Sequence, residues 1–459
     1  MKNINLNNIK GKRVLVVGMG KSGIAAIQAM LKLGAQVTVQ DSKKPEDIDG
    51  QLLNFLTGKG LELCLGQIPE DIESFDMLIL SPGVTPELEF IQKANEAGAE
   101  IVGELEIAYR IARGNFVAIT GTNGKTTTTT LVGEIFKKAG RSTYVVGNIG
   151  VAVISKALET KEEDWLITET SSFQLQTAKY FKPIVSAILN ITPDHLNRHH
   201  TMENYGLAKA NIFANQDENG YCIINRDDEL SYRLVKNCKA KVVYFSSTRE
   251  LEVGAFLKND RLVIANEKNE SIDLCHRDDL QIIGKHNVEN ALAASAICYF
   301  SGIDVEVIRE SLKSFGGVEH RIEYCGQLNG VSFYNDSKAT NVDAAITALK
   351  SIKKNILLIA GGEGKDQNFD ELIKSFDGSV KHMMLLGKDA SVIGEAADKY
   401  DFKDYTYCNN MEDCVKDAFK IAEEGDTILL SPACASWDMY ENFEQRGRHF
   451  KEIVARLGN

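Results

Sequence analysis

The chain has 459 residues and a formal net charge of −12, with 44% hydrophobic and 25% charged residues. That balance excludes wholesale disorder and a protein that works through a broad basic footprint, so no nucleic-acid partner is expected. At roughly 150 residues per domain the length predicts about three domains, each large enough to bury its own core. Nine cysteines, scattered and without a C-x-x-C pair, read as reduced thiols and not as a zinc or disulfide framework. Residues 1–13 are polar and the apolar run 14–17 is too short for a signal segment. No stretch approaches the ~20 apolar residues of a membrane span, so no membrane insertion is expected and the protein is read as cytoplasmic.

In chain order, a strand at 14–17 leads into a helix over about 22–33 and a second strand at 37–39. Further strands are predicted at 77–80, 116–119, 165–167 and 185–189, and late in the chain at 356–359, 383–386 and 427–430. Continuous apolar strands alternating with helices indicate parallel sheets covered on both faces, hence an α/β fold. Residues 254–274 read as short strands with polar turns, an antiparallel excursion. The helical stretch 105–112 ends at Arg113-Gly114-Asn115, and Ser314-Phe-Gly316-Gly317 is a second break. These place domains at 1–114, 115–316 and 317–459.

Gly18-Met-Gly20-Lys-Ser-Gly23 follows a strand and opens a helix, and Asp41 ends the next strand. This is the Rossmann dinucleotide pattern in its proper setting, and it specifies a diphosphate-and-ribose binder more firmly than a nicotinamide. Ile119-Thr-Gly121-Thr122-Asn123-Gly124-Lys125-Thr126-Thr127 also joins a strand to a helix. It departs from G-x-x-x-x-G-K-[ST] because Ile119 stands where the first glycine belongs. The mechanical parts remain: backbone amides for phosphates, Lys125 for the β/γ phosphates, Thr126 for Mg²⁺, and a helix dipole. This loop points to ATP or GTP.

Glu169 follows the strand at 165–167, at the C-terminal end where a carboxylate partner for Mg²⁺ belongs. Asn190-Ile-Thr192-Pro-Asp194-His195 follows another strand. His195 sits on the edge where α/β sites form, whereas His199 and His200 read as surface residues. Lys209, from pattern alone, is a solvated helix lysine. In the last third, Asn335-Asp-Ser-Lys338-Ala-Thr340, Gly361-Gly-Glu-Gly364-Lys365-Asp366 and Ser431-Pro-Ala-Cys434-Ala-Ser436 each follow a strand-like run and suit an anionic substrate. Cys434 has no evident base beside it and reads as a buried thiol.

Taken together, ITGTNGKTTT (119–128), GNIG (147–150), ETSSFQL (169–175), HNVENALAA (286–294), HRIE (320–323), NDSKATN (335–341), GGEGKD (361–366), SPACASWD (431–438) and NFEQRG (442–447) resemble the Mur ligases of peptidoglycan synthesis, on the D-glutamate-adding branch. The resemblance spans essentially the whole chain. It implies a Rossmann-like N-terminal domain for a UDP-sugar, a central P-loop ATPase domain with a mostly parallel sheet, and a Rossmann-like C-terminal domain for the amino acid. The implied reaction joins D-glutamate to UDP-N-acetylmuramoyl-L-alanine at the expense of ATP, through an acyl phosphate, in a monomer whose domains close on their ligands.

By the same resemblance, Glu169, His195 and Thr126 surround Mg²⁺, and Lys209 is carried as a carbamate. Asn148 lies near the sugar substrate and the metal. Asn290, Arg321, Asp336 and Lys338 hold adenine, phosphates or ribose. Thr340, Lys365, Ser436 and Phe443 form the D-glutamate pocket, and Ser22, Asp41 and Ser42 meet the uridine diphosphate. Three other readings compete. A folylpolyglutamate-type ligase shares the P-loop and HNVEN block. A nicotinamide oxidoreductase would use 18–23 and Asp41, and a noncatalytic nucleotide switch would need only the P-loop.

Overall fold

The computed structural model describes residues 9–268, 270–282, 284–352, 355–364 and 367–458. These residues form two compact units, one made of the described residues up to 277 with 289–311 and a smaller one made of those in 278–288 and from 312 onward. The larger unit holds two sheets. The first contains β1 (Arg13–Val17), β2 (Gln36–Asp41), β3 (Glu62–Leu65), β4 (Met77–Leu80) and β5 (Glu100–Gly103). All are parallel, in the order β3-β2-β1-β4-β5. The strands Val14–Val17 and Met77–Leu80 lie at its centre and are buried along their whole length, which is why their sequence is apolar without alternation.

The second sheet contains β6 (Asn115–Thr120), β7 (Thr143–Gly147), β8 (Trp165–Glu169), β9 (Val185–Ile188), β10 (Tyr221–Asn225), β11 (Lys241–Ser246), β12 (Gly254–Lys258), β13 (Arg261–Ala265) and β14 (Ser271–His276). Its order is β14-β13-β12-β11-β10-β9-β6-β8-β7. The antiparallel excursion predicted at 254–274 is present as the β12–β13–β14 edge, although β12 itself runs parallel to β11. The smaller unit holds β15 (Glu323–Leu328), β16 (Val331–Asn335), β17 (Ile356–Gly361), β18 (Val380–Leu386), β19 (Tyr405–Tyr407) and β20 (Thr427–Leu430), ordered β15-β16-β20-β17-β18-β19. Only the β15–β16 pair is antiparallel. No helix among the described residues is long and apolar enough to cross a membrane.

The first two sheets share one continuous core. The helix Glu104–Ile111 carries it across: every residue of the helix except Arg110 is buried. Tyr109 meets Phe116 of β6 and Phe181 edge-on, with ring centroids 5.6 and 5.5 Å away. Polar ties follow the same path. The buried Glu106 carboxylate accepts from the backbone N–H groups of Lys179 and Tyr180 at 2.9 and 3.0 Å and from Arg110 at 2.8 Å.

Glu104 is the costly member of this join. One oxygen accepts from the Ile154 amide, the other has no partner, and burial pushes its carboxyl up to about 7. An unfolded glutamate ionises near pH 4.3, so the native state binds the proton more tightly between those values. Relative to Glu104→Gln, the wild type should therefore lose roughly 3 kcal/mol of stability as pH rises from about 4 to about 7. Urea denaturation at pH 4.5, 6 and 7.5 checks this; a wild-type-minus-variant difference that stays flat would contradict it.

Candidate active site

The site forms where the strands of the second sheet end. β6 runs between β8 and β9. Parallel pairing therefore delivers the loop after β6, the end of β8 and the loop after β9 to one edge. The first of these loops is 121–124. Gly121 and Gly124 have φ of +156° and +81°, and a Cβ at Gly124 would stand 2.2 Å from Asn290 Oδ1. Glycine at 124 is thus required twice over, by its left-handed backbone and by the close approach. Gly124 also caps the helix Lys125–Lys138, so the loop leads directly into the helix N-terminus.

Both lysines of the expected set converge here. Lys125 Nζ donates to the carbonyl oxygens of Gly121 and Thr122 at 2.9 and 2.7 Å. Lys209 Nζ donates to the same Gly121 oxygen at 2.8 Å and lies 4.6 Å from the centre of the Tyr205 ring. Lys209 is not the solvated helix lysine that its pattern suggests. It is 1% exposed, on the inner face of the helix Met202–Ala210, whose start is capped by Thr201 accepting from the Asn204 amide at 3.1 Å. Desolvation, reinforced by the Lys125 charge, lowers its pKa to about 7.

Glu169 is also buried. Its two oxygens accept from Thr126 Oγ1 at 2.9 Å and from Asn148 Nδ2 at 2.8 Å. Thr126, Glu169 and Asn148 are thereby brought together. The hydroxyl and the carboxylate are hard oxygen donors of the kind Mg²⁺ prefers, so the pair fits that ion. Among the described residues no group of three His, Cys, Asp or Glu side chains is placed to hold a metal.

His195 stands half-exposed with φ of +51°, a strained conformation for a non-glycine residue. Its ring meets Phe173 at 4.9 Å. His200 is exposed as expected, but His199 is not a surface residue. It is 3% exposed, bonded through Nε2 to Ser172 Oγ at 3.0 Å and packed between Phe173 and Tyr205. The reversed backbone at His195 and His200 turns this short helix inward, a feature that local sequence does not announce.

Two residues of the site escaped sequence reasoning. Asn190, at the end of β9, accepts from the Asn123 amide through Oδ1 at 2.8 Å and returns a bond to the Asn123 carbonyl at 3.1 Å, while its own carbonyl accepts from the Thr122 amide at 2.9 Å. It splints the phosphate loop. Tyr205 joins in through its hydroxyl, 3.2 Å from Thr122 Oγ1. Asn190 opens a quoted motif and follows the strand beside β6; that position was the available signal. Asn290 stands beside the loop, accepting from Thr128 Oγ1 at 3.3 Å.

In the first sheet, Asp41 at the end of β2 accepts from the Met19 amide of the glycine loop at 2.7 Å and from the Lys43 amide at 3.0 Å. Ser22 is half-buried and Ser42 exposed nearby.

In the smaller unit, β16, β20 and β17 are neighbours, so residues 336–341, 431–436 and 362–364 gather at one edge. Asp336 is buried, accepting from Ser431 Oγ at 2.8 Å and from the Ile322 amide at 3.2 Å, and burial raises its carboxyl to about 7. Lys338 and Arg321 are exposed, Thr340 and Phe443 half-buried, and Ser436 buried. Lys365 lies outside the described residues. Cys434 is fully buried, and desolvation pushes its thiol up to about 12, in keeping with a structural thiol.

Arg446 is the residue missed here. Buried without a carboxylate in hydrogen-bonding reach among the described residues, it donates to Ser337 Oγ and O at 3.0 and 2.9 Å, to Cys434 O at 3.0 Å and to Ala435 O at 3.3 Å. It ties the loop after β16 to the loop after β20. Its place in NFEQRG was the signal.

Comparison with known proteins agrees along the chain. Residues 12–103 match the Mur ligase MurD-like N-terminal domain, 119–298 the Mur ligase middle domain, and 320–434 the Mur ligase glutamate ligase domain. The UDP-N-acetylmuramoylalanine–D-glutamate ligase of Alkaliphilus oremlandii is 51% identical over 98% of this chain and 99% of its own length. That of Clostridioides difficile is 48% identical over 98% of this chain and 100% of its own. The solved UDP-N-acetylmuramate–alanine ligase of Thermotoga maritima shares the fold, with a TM-score of 0.56 at 18% identity, covering 97% of this chain and all of that one. These matches establish that the chain belongs to the Mur ligase family and is a ligase.

Proposed function

We propose that this chain adds D-glutamate to UDP-N-acetylmuramoyl-L-alanine with cleavage of ATP to ADP and phosphate, as a cytoplasmic monomer in peptidoglycan synthesis. The observation that carries the reading is the pair of lysines on the Gly121 carbonyl oxygen. A carboxylate approaching a triphosphate brings negative charge toward negative charge; Lys125, the N-terminus of the helix Lys125–Lys138 and the Mg²⁺ that Thr126 and Glu169 would hold neutralise it, and Lys209, once modified, would join the ligands of that ion.

The acceptor's carboxylate oxygen attacks the γ-phosphorus, the bond to the β-bridging oxygen breaks, and ADP leaves with that electron pair. Lys125 turns from the loop carbonyls to the β/γ phosphates, and the first amides of the helix Lys125–Lys138 hold the remaining oxygens. The amine of D-glutamate, having lost a proton, then attacks the acyl phosphate. A tetrahedral centre forms at the carbonyl carbon, the nitrogen gives up a second proton to solvent, and collapse breaks the bond from that carbon to the phosphate oxygen, so phosphate leaves with the electron pair and the amide remains. Thr126 and Glu169 would hold Mg²⁺, with His195 and a modified Lys209 as the further ligands; the ion supplies charge neutralisation at the phosphates. Asn148 orients Glu169. Asn290 backs Gly124 of the loop, and in the C-terminal domain Arg321, Asp336 and Lys338 serve the nucleotide. Thr340, Lys365, Ser436 and Phe443 receive D-glutamate, with Arg446 fixing the two loops that carry Thr340 and Ser436. Ser22, Asp41 and Ser42 meet the uridine diphosphate. The assignment uses domains at 1–114, 115–316 and 317–459.

The depressed pKa of Lys209 supports carbamylation. An amine that is substantially neutral at pH 7 can add carbon dioxide, releasing a proton and becoming an oxygen-donor anion. That reverses the sign of a buried charge beside Lys125, converting repulsion into attraction.

Phosphate release should require both UDP-N-acetylmuramoyl-L-alanine and D-glutamate, with L-glutamate, L-alanine and diaminopimelate failing to substitute. Equal ATP hydrolysis without either substrate would contradict the reading. Lys209→Ala should lower turnover by about a thousandfold while ATP-analogue affinity changes far less; unchanged turnover would refute its role. Unmodified Lys209 also has a folded pKa below its unfolded one near 10.4, so its penalty is full below pH 7 and is relieved as pH rises. In buffer free of carbon dioxide, the wild type should gain up to about 4 kcal/mol over Lys209→Met between pH 7 and 10. Denaturant titrations at those pH values would show it, and a constant difference would contradict it.

A further inference from the structure

Arg198 belongs to none of the phosphate, metal or amino-acid motifs. It sits in the short helix Leu196–His199, directly after His195. Its guanidinium leaves that loop and reaches the first sheet. Nη1 donates to Pro82 O at 3.1 Å and Gly83 O at 3.2 Å, and Nη2 donates to Val84 O at 3.0 Å and Gln176 Oε1 at 3.3 Å. The plane lies over the Phe173 ring, 4.3 Å from its centre. Three consecutive backbone carbonyls thus converge on one planar fork, a geometry that arginine satisfies and lysine does not.

The place of those carbonyls matters. Residues 81–84 follow β4, and 18–23 follow its neighbour β1. In the order β3-β2-β1-β4-β5 the strand sequence reverses between β1 and β4, and open α/β sheets bind ligands in the crevice at that reversal. Ser81 Oγ donates to Gly18 O at 2.8 Å, so 81–84 forms one wall of the crevice and the glycine loop the other. A small cavity is lined by Ser81, Pro82 and Val84 together with Phe173, Gln174 and Thr177. The arginine bridges what the side chains leave open.

We propose that Arg198 is a positioning residue for the nucleoside-diphosphate-sugar substrate: it locks the 82–84 wall of the crevice to the loop that carries His195, so that the diphosphate end of the acceptor and its reacting end are held in one register. This rests on the functional reading above. Arg198 touches backbone and acts through it; no chemical step passes through its side chain.

The test compares full-length wild type, Arg198→Ala and Arg198→Lys. The alanine variant should raise the KM for UDP-N-acetylmuramoyl-L-alanine about tenfold or more, with the lysine variant in between, while the KM for ATP and D-glutamate stays within about twofold. Millimolar guanidinium should recover part of the alanine variant's loss. Hydrogen exchange at the Val84 amide, which bonds Ser81 O at 2.9 Å, should quicken in both variants while amides of β1 and β4 keep their rates. An unchanged acceptor KM, an equal rise in all three KM values, or unaltered exchange at Val84 would overturn the proposal. If the alanine variant does not fold, the lysine variant decides by the same criteria. Wild-type protein that releases no phosphate with these substrates would defeat the functional reading instead, and the exchange at Val84 would still decide whether the clamp exists.

Discussion

Lys125 and Lys209 donate to the same carbonyl oxygen, that of Gly121, at 2.9 and 2.8 Å. Burial first, with the Lys125 charge added to it, disfavours the ammonium form of Lys209, which is 1% exposed. Burying an uncompensated cation is expensive. The fold tolerates the arrangement because the loop between the lysines is over-determined. Asn190 splints it, Tyr205 touches its Thr122, and Asn290 stands against Gly124. A polyphosphate at the loop, or an anionic group on Lys209 itself, relieves the repulsion. Ligand binding and the chemistry therefore draw on strain already present in the folded chain.

The sheet topology turns that local constraint into a site. Parallel pairing of β8, β6 and β9 brings a glycine loop, a buried carboxylate and the His195 loop to one edge. The same rule, applied in the first sheet, sets the glycine loop beside 81–84, and in the smaller unit it gathers the loops after β16, β20 and β17. The first two sheets are joined by more than a linker. Their core is continuous through the helix Glu104–Ile111, and Glu106, Arg110 and Arg198 add polar ties across the join. Rigidity there keeps the crevice of the first sheet and the phosphate loop of the second in a fixed relation.

Much of this was legible in the sequence where the signal is local. Central strands such as Met77–Leu80 and Thr427–Leu430 are apolar runs because both faces are covered, and they lie where the pattern puts them. The glycine loop 121–124 was legible because its backbone demands glycine. Short edge strands such as Glu62–Leu65 and Tyr405–Tyr407 were not, since a half-exposed strand of three or four residues has no distinctive period. The burial of His199 and Lys209 depends on partners such as Ser172 and Tyr205 delivered by other elements, so helical periodicity read Lys209 as solvated. Asn190, Arg446 and Arg198 escaped for a related reason. Each acts on backbone carbonyls or amides of distant loops, and backbone groups leave no mark in the side-chain pattern. The break at Arg113-Gly114-Asn115 is visible in the chain, but the core that continues past it is a tertiary fact.

The account stands on the claim that the phosphate loop and Lys125 serve to bring a carboxylate onto the terminal phosphorus of ATP. The most direct measurement uses UDP-N-acetylmuramoyl-L-alanine labelled with ¹⁸O in its carboxylate, turned over with ATP and D-glutamate, and reads the mass of the phosphate released. The account predicts one labelled oxygen transferred to phosphate for each amide formed. Phosphate carrying no label, with amide formed at the normal rate, would contradict it.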